Sequence, residues 1–187
     1  MRNSYADFAA RVRVPAGMLL AVLYLVFARP TPGRLVGGAL VALAGLMLRA
    51  VASGYLAKNQ RLATAGPYAF TRNPLYLGSA LAGVGFCIAG GRWWFFLLLG
   101  VFLIAVYWPV IRREEEHLSR LFPDEFAAYS RTVPVLLPRL TPAQDNQTSP
   151  QRFDWRTYWR NREYEALLAF LGIILLLMGR MFLLGEG

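Results

Sequence analysis

The sequence predicts an all-α integral membrane protein with about five transmembrane helices and a cytoplasmic amphipathic helix after the fourth. Three observations carry that prediction. The 187 residues are 56% hydrophobic with a mean hydropathy of +0.38, too apolar for an ordinary soluble domain and too poor in charge for a disordered one. Several apolar stretches reach or approach the roughly 18 to 20 residues that span a bilayer. Arginine and lysine crowd into alternate connections between those stretches, the mark of membrane topology.

The first span runs from about Val14 to Phe27. A basic stretch precedes it, as in a signal peptide, but only "ARPTPGR" follows, with no small-residue cleavage site, so a retained helix is expected. The second span, Leu35 to Leu56, closes a hairpin through the proline and glycine of "RPTPGR". Spans three and four, Pro74 to Ile88 and Trp93 to Ile111, form a tighter hairpin through "AGGR". The first and third are short, so flanking residues extend them or they tilt in a thinned bilayer. Trp93 and Trp94 at one end of span four, with Tyr107 and Trp108 at the other, suit interfacial belts.

After Arg112 the chain changes character. Ile111, Leu118, Leu121 and Phe122 can share one helical face, the pattern of an amphipathic helix lying along the headgroups. Pro123 ends it, "DEFAAYSR" can start another turn or two, and the two prolines of "VPVLLPRL" predict an extended, packed segment. Residues 141–162 read as a polar linker and then an aromatic, basic interface anchor, "WRTYWRNREY"; a fifth span follows near Ala166 to Leu184.

Charge sets the expected orientation. Arg2, Arg11 and Arg13 precede span one; Lys58, Arg61 and Arg72 lie between spans two and three; nine arginines from Arg112 to Arg162 separate spans four and five. The other side holds Arg29, Arg34 and Arg92. The amino terminus and the loop before span three should be cytoplasmic and the carboxyl terminus on the opposite side. The net charge of +9 then reports topology and anionic lipid headgroups, so membrane lipids are the expected partners and nucleic acid is not. One cysteine and one histidine exclude a disulfide framework or a metal cluster, and no metal site is expected.

Three places could carry chemistry. In "GPYAFTRNPLYLGS", Gly66 and Pro67 mark a turn, and Asn73 before Pro74 suits a helix start whose N–H groups favour an anion. The bland alternative is a capped membrane helix with tyrosine anchors. Glu114, Glu115 and Glu116 repel one another near anionic headgroups; they are either a solvated charge run or partners for a cation or a ribose. Arg49, about two turns inside span two, either snorkels or faces a pocket. His117, with no acidic partner fixed by sequence, reads as interfacial helix surface rather than a general base.

Together "LRAVASGYLAKNQRLATAGPY", "GPYAFTRNPLYLGS" and "EEEHLSRLFPDEFAAYSRTVPVLLP", in that order around a helical hairpin, resemble the isoprenylcysteine carboxyl methyltransferase family, membrane-embedded enzymes related to phospholipid N-methyltransferases. The resemblance covers about 48–140, which it marks as a methyltransferase core; 1–47, with the first helix and the start of the second, and 163–187, an extra helix, fall outside it. It implies transfer of a methyl group from S-adenosyl-L-methionine to a lipidic or prenylated small-molecule or protein acceptor. Carboxyl O-methylation of an isoprenylcysteine-like substrate comes first. Phospholipid amine N-methylation, a membrane reductase or a non-catalytic protein on the same scaffold are the alternatives. Carried over, cofactor contacts fall on Gln60, Arg61, Leu62, Ala63, Tyr68, Asn73, Pro74, Leu75, Tyr76 and Glu114, with Glu115 as its neighbour. Glu114 and Glu115 are the expected catalytic residues, and Arg49, from its place in span two, with Arg112 and Arg113, one turn on from Val110, are the expected substrate contacts. The chain departs from the family at Asn73, where many members carry histidine, at Pro123 and Phe126, where glycine and tyrosine are usual, and at Val110, which occupies the place of a substrate-engaging arginine.

Overall fold

The computed structural model describes residues 4–143 and 151–184. It is an all-α integral membrane protein, with no strand among the described residues. Helix α1 spans Ser4–Phe27, α2 Pro32–Tyr55, α3 Pro74–Gly90 and α4 Trp94–Phe102. A π-helical turn, Leu103–Tyr107, joins α4 to α5, Trp108–Leu121; α6 is Pro123–Thr132, α7 Trp155–Arg160 and α8 Tyr164–Leu184. Four helical rods are long and apolar enough to cross a membrane, including the continuous run Trp94–Leu121, and α3 is a shorter apolar helix.

Proline and glycine punctuate most of these helices, although Pro15 lies inside α1. Pro32, Pro74 and Pro123 each sit in a first turn, where a missing N–H leaves no helical bond unmade. Gly91 closes α3 in the left-handed region, φ 66°, which a side chain would disfavour. Helix α1 begins about ten residues before the apolar run that predicts it, so flanking residues extend that span. Its polar start is docked: Tyr5 donates to the Ala105 carbonyl in the π turn (2.8 Å), and Asp7 pairs with Arg113 (3.2 Å).

The α2/α3 hairpin holds the bundle together. Gly38, Ala42 and Gly45 of α2 meet Gly78, Ala82, Gly85 and Ala89 of α3 with backbones nearly touching. In lipid, where burial of apolar surface drives little association, small residues at such a seam permit the close packing that does. A methyl group added at Gly45 would lie 2.5 Å from the Ala82 nitrogen and the Gly78 carbonyl oxygen, whereas Gly37 faces open space. Gly45→Leu should therefore abolish recovery of folded, monodisperse protein in detergent. Gly37→Leu should behave as wild type in the same size-exclusion assay.

The chain threads so that the start of α1, the ends of α2 and α5, the start of α3, and α6 and α7 share one end of the bundle. Arg29, Arg34 and Gly91 meet at the other. Arg180 of α8 reaches the same far end, donating to the Leu25 and Val26 carbonyls. The far half is filled by Tyr24, Leu35, Cys87, Phe95 and Leu177.

The segment read as polar linker and interface anchor is held against the core where it is described. Phe153 packs on Gly54, and Asn161 donates to the Ser53 and Leu56 carbonyls (2.9 and 3.1 Å), satisfying the open end of α2. Residues 144–150 of that segment lie outside the described residues. Asp154 caps α7 through the Arg156 and Thr157 N–H groups, and the Thr157 hydroxyl bond, with those, holds its carboxyl below the usual range. Trp155 and Trp159 stand exposed on α7, as expected of an interface anchor.

Candidate functional site

A cavity of about 310 Å³ opens at the loop-rich end of the bundle, between the chain linking α2 to α3 and the α5/α6 pair. Its floor is apolar, built on the buried cluster of Leu62, Phe126, Tyr129 and Val133. Phe126, Tyr129 and Val133 recur at helical spacing, so α6 presents one face to the loop.

The loop is shaped by local turns and then tied down from a distance. Gly66 adopts φ 60° beneath the Tyr55 ring, and a single 3₁₀ turn, Gly66–Ala69, carries Tyr68 inward. The extended chain after α6 returns across it. Arg72 N–H donates to the Pro134 carbonyl (2.9 Å), Thr71 Oγ1 to Leu136 (3.0 Å), Arg139 N–H to Phe70 (2.9 Å) and the Tyr129 hydroxyl to Tyr68 (2.8 Å). Burial above all, with each other's neighbourhood and the nearby glutamates adding, raises the Tyr68 phenol far above its ordinary range. Burial does the same for Tyr129, against Arg72, and its hydroxyl is the donor to the Tyr68 carbonyl.

Asn73 starts α3 as expected but by another bond. Its side chain makes no cap to the first turn; Nδ2 donates to the Val135 carbonyl at 2.9 Å. The returning strand-like segment presents carbonyls that need donors, and an amide supplies one without carrying charge.

The adjacent glutamates divide the work. Glu114 accepts a 2.8 Å hydrogen bond from the Tyr76 hydroxyl, and the Tyr76 ring packs edge-on against Tyr107 of the π turn, centroids 5.2 Å apart. Glu115 is buried, 3.2 Å from Arg72 Nη1 and 3.3 Å from Arg112 Nη1. The Arg72 contact is an ion pair without hydrogen-bond geometry, which leaves Glu115 Oε1 and Arg72 Nε buried with hydrogen-bonding capacity unmet. Arg72 and Glu115 line the cavity as a charge pair. Glu116 is exposed on the outer face.

Of the residues expected at a site, Arg61, Leu62, Ala63, Tyr68, Asn73, Glu114 and Glu115 line this one cavity. Tyr76 reaches it through Glu114. Pro74 and Leu75 build the start of α3 without lining the cavity, and Gln60 lies in a separate cleft with Lys58, Arg160, Asn161 and Arg162. Arg49 does not line the cavity either. It forms a bidentate pair with Glu163 (2.8 to 3.0 Å) and also donates to Ser79 and the Leu75 carbonyl, fastening the start of α8 to α2 and α3. Arg113 is engaged by Asp7, and Arg112, 59% exposed, lies over Trp108 and beside Glu115.

Sequence reasoning missed Arg72 as a cavity residue, reading it only as topological charge. A cation between a Gly-Pro turn and an Asn-Pro helix start was its signal. Tyr129 was missed as well, though its spacing from Phe126 and Val133 was legible. His117 sits at the rim, its Nε2 3.2 Å from Asn59 Oδ1.

The segment that carries the cavity also carries the likeness to known proteins. Residues 35–125 match the phospholipid methyltransferase family. Phe126 and Tyr129 are the cavity residues just beyond that match. The cobalt-zinc-cadmium resistance protein CzcN of Cupriavidus metallidurans is 37% identical over 84 residues, 45% of this chain and 38% of that protein. The nickel-cobalt-cadmium resistance protein NccN of Alcaligenes xylosoxydans xylosoxydans is also 37% identical over 84 residues, 45% of this chain and 39% of its own. The aligned segment thus spans less than two fifths of either relative. No solved structure matches the chain.

Proposed function

We propose that this protein is a membrane methyltransferase that uses S-adenosyl-L-methionine and methylates a lipidic acceptor entering from the bilayer. The observation that carries this reading is the convergence of Glu114, Glu115 and Arg72 on one half-enclosed cavity within the family-matched segment. The residues suit the cofactor's chemistry. Leu62, Leu118 and Phe126 offer an apolar surface for a purine, and Glu114, exposed in the same cavity, an acceptor for an ammonium. When bound, S-adenosyl-L-methionine supplies a methyl group already activated by its sulfonium. The chain's own task is to orient the reactants and exclude water. Glu114 places negative charge where a cation must sit, Glu115 holds Arg72 at the wall, and the Tyr129 phenol braces the loop by donating to the Tyr68 carbonyl.

Two acceptor classes compete. Carboxyl O-methylation of an isoprenylcysteine-like molecule calls for a cation near the reacting carboxylate. Val110, in the place of the family's arginine, is 3% exposed, while Arg112 and Arg113 face Glu115 and Asp7. Such a substrate would have to draw on Lys58 or Arg61. The Glu114 carboxylate beside the Tyr76 and Tyr107 rings favours binding an alkylammonium instead, as for a phospholipid amine, which must give up a proton to the Glu114 carboxylate or to water before its nitrogen can accept a methyl group. The dense positive charge at this end of the bundle supports placing the cavity in the cytoplasm.

Calorimetric titration of the purified full chain with S-adenosyl-L-methionine is expected to give saturable binding. Absence of binding both with and without added lipid would sink the methyltransferase reading. With binding in hand, labelled-methyl transfer to ethanolamine phospholipid against a prenylated cysteine decides the acceptor.

A further inference from the structure

Gln151 lies beyond the family-matched segment, yet it is 6% exposed and its carboxamide is spent on backbone nearly ninety residues earlier. Nε2 donates to the Leu62 carbonyl at 2.6 Å, and Oε1 accepts from the Thr64 and Ala65 N–H groups at 3.1 and 3.4 Å. One orientation of the amide suits all three contacts, with the donor facing a carbonyl and the acceptor facing two N–H groups.

The backbone so held is a cavity wall. Leu62 and Ala63 line the cavity, and residues 61–65 form neither helix nor strand, so no ladder of their own keeps them in place. Gln151 is itself anchored to α2, since Asp154 N–H donates to the Gly54 carbonyl at 3.0 Å and Phe153 covers Gly54. The membrane end of α2 thereby sets the wall's position through the carboxyl-terminal segment.

We propose that Gln151 is a positioning residue for the methyl-donor cavity, clamping 62–65 so that its backbone meets the bound S-adenosyl-L-methionine. This rests on the cavity being the donor's site. A glutamine replaced by alanine removes these three bonds, and the wall loosens.

Two measurements on the full chain test it. In Gln151→Ala, hydrogen exchange of the Thr64 and Ala65 amides should accelerate by about tenfold or more. The KM for S-adenosyl-L-methionine should rise by about tenfold with the acceptor's KM unchanged. Gln151→Glu keeps both acceptor bonds but sets an oxygen against the Leu62 carbonyl, so it should fall between wild type and alanine. Should the alanine variant not be recovered folded, the glutamate variant decides by the same two readings. Wild-type exchange rates and donor KM in the recovered variants overturn the clamp, while leaving the donor assignment intact if the wild type binds. A wild-type chain that binds no S-adenosyl-L-methionine overturns both. A rise in both KM values together overturns a positioning role specific to the donor.

Discussion

Glu114→Ala is expected to lower kcat/KM for methyl transfer by about 100-fold or more, with the thermal midpoint close to wild type. Glu114 is exposed and, among the described residues, its hydrogen bond is to the Tyr76 hydroxyl alone, so the loss is one of function. Tyr76→Phe frees the carboxylate without removing it and should cost about tenfold at most. Parallel measurement of donor binding and turnover checks both. An active, tightly binding Glu114→Ala protein would remove Glu114 from the site altogether.

Glu115→Ala should act through stability. It strips the counter-charge from Arg72, whose side chain is 13% exposed and lies over the Phe126 ring. An uncompensated charge in such a position costs about 3–5 kcal/mol. Arg112 contributes little to the present pair, being 59% exposed, so Arg112→Ala should change stability by about 1 kcal/mol or less. Replacing both partners, Arg72→Met with Glu115→Leu, should recover much of what Glu115→Ala loses, because neither charge is then stranded. Denaturation in a fixed detergent reports all three. Equal losses from Glu115→Ala and Arg112→Ala would show that Arg72 does not depend on Glu115.

The two adjacent carboxylates therefore differ in kind, although nothing in "EEEH" distinguishes them. Their places on α5 are one residue apart and both flank its apolar face. What separates them is that α3 brings Tyr76 to one while the loop brings Arg72 to the other. Arg49 makes the same point: an arginine inside a membrane helix suggested a pocket or a snorkelling chain, and its partner, Glu163, lies 114 residues later.

By itself the sequence determined the apolar membrane helices, the proline and glycine at their ends and the charged connections between them. Those features depend on runs of apolar residues, on proline and glycine at helix ends, and on charge density in connections, all of which are local. Only the tertiary structure decided that the Asn73 side chain bonds Val135 rather than its own first turn, that Glu115 is neutralised while Glu114 is offered, and that Gln151 bonds the Leu62 carbonyl. Each of these pairs residues across more than a helix length of chain. Such a pairing is set by where small-residue packing of α2 on α3 brings the helix ends to rest, which no local stretch encodes.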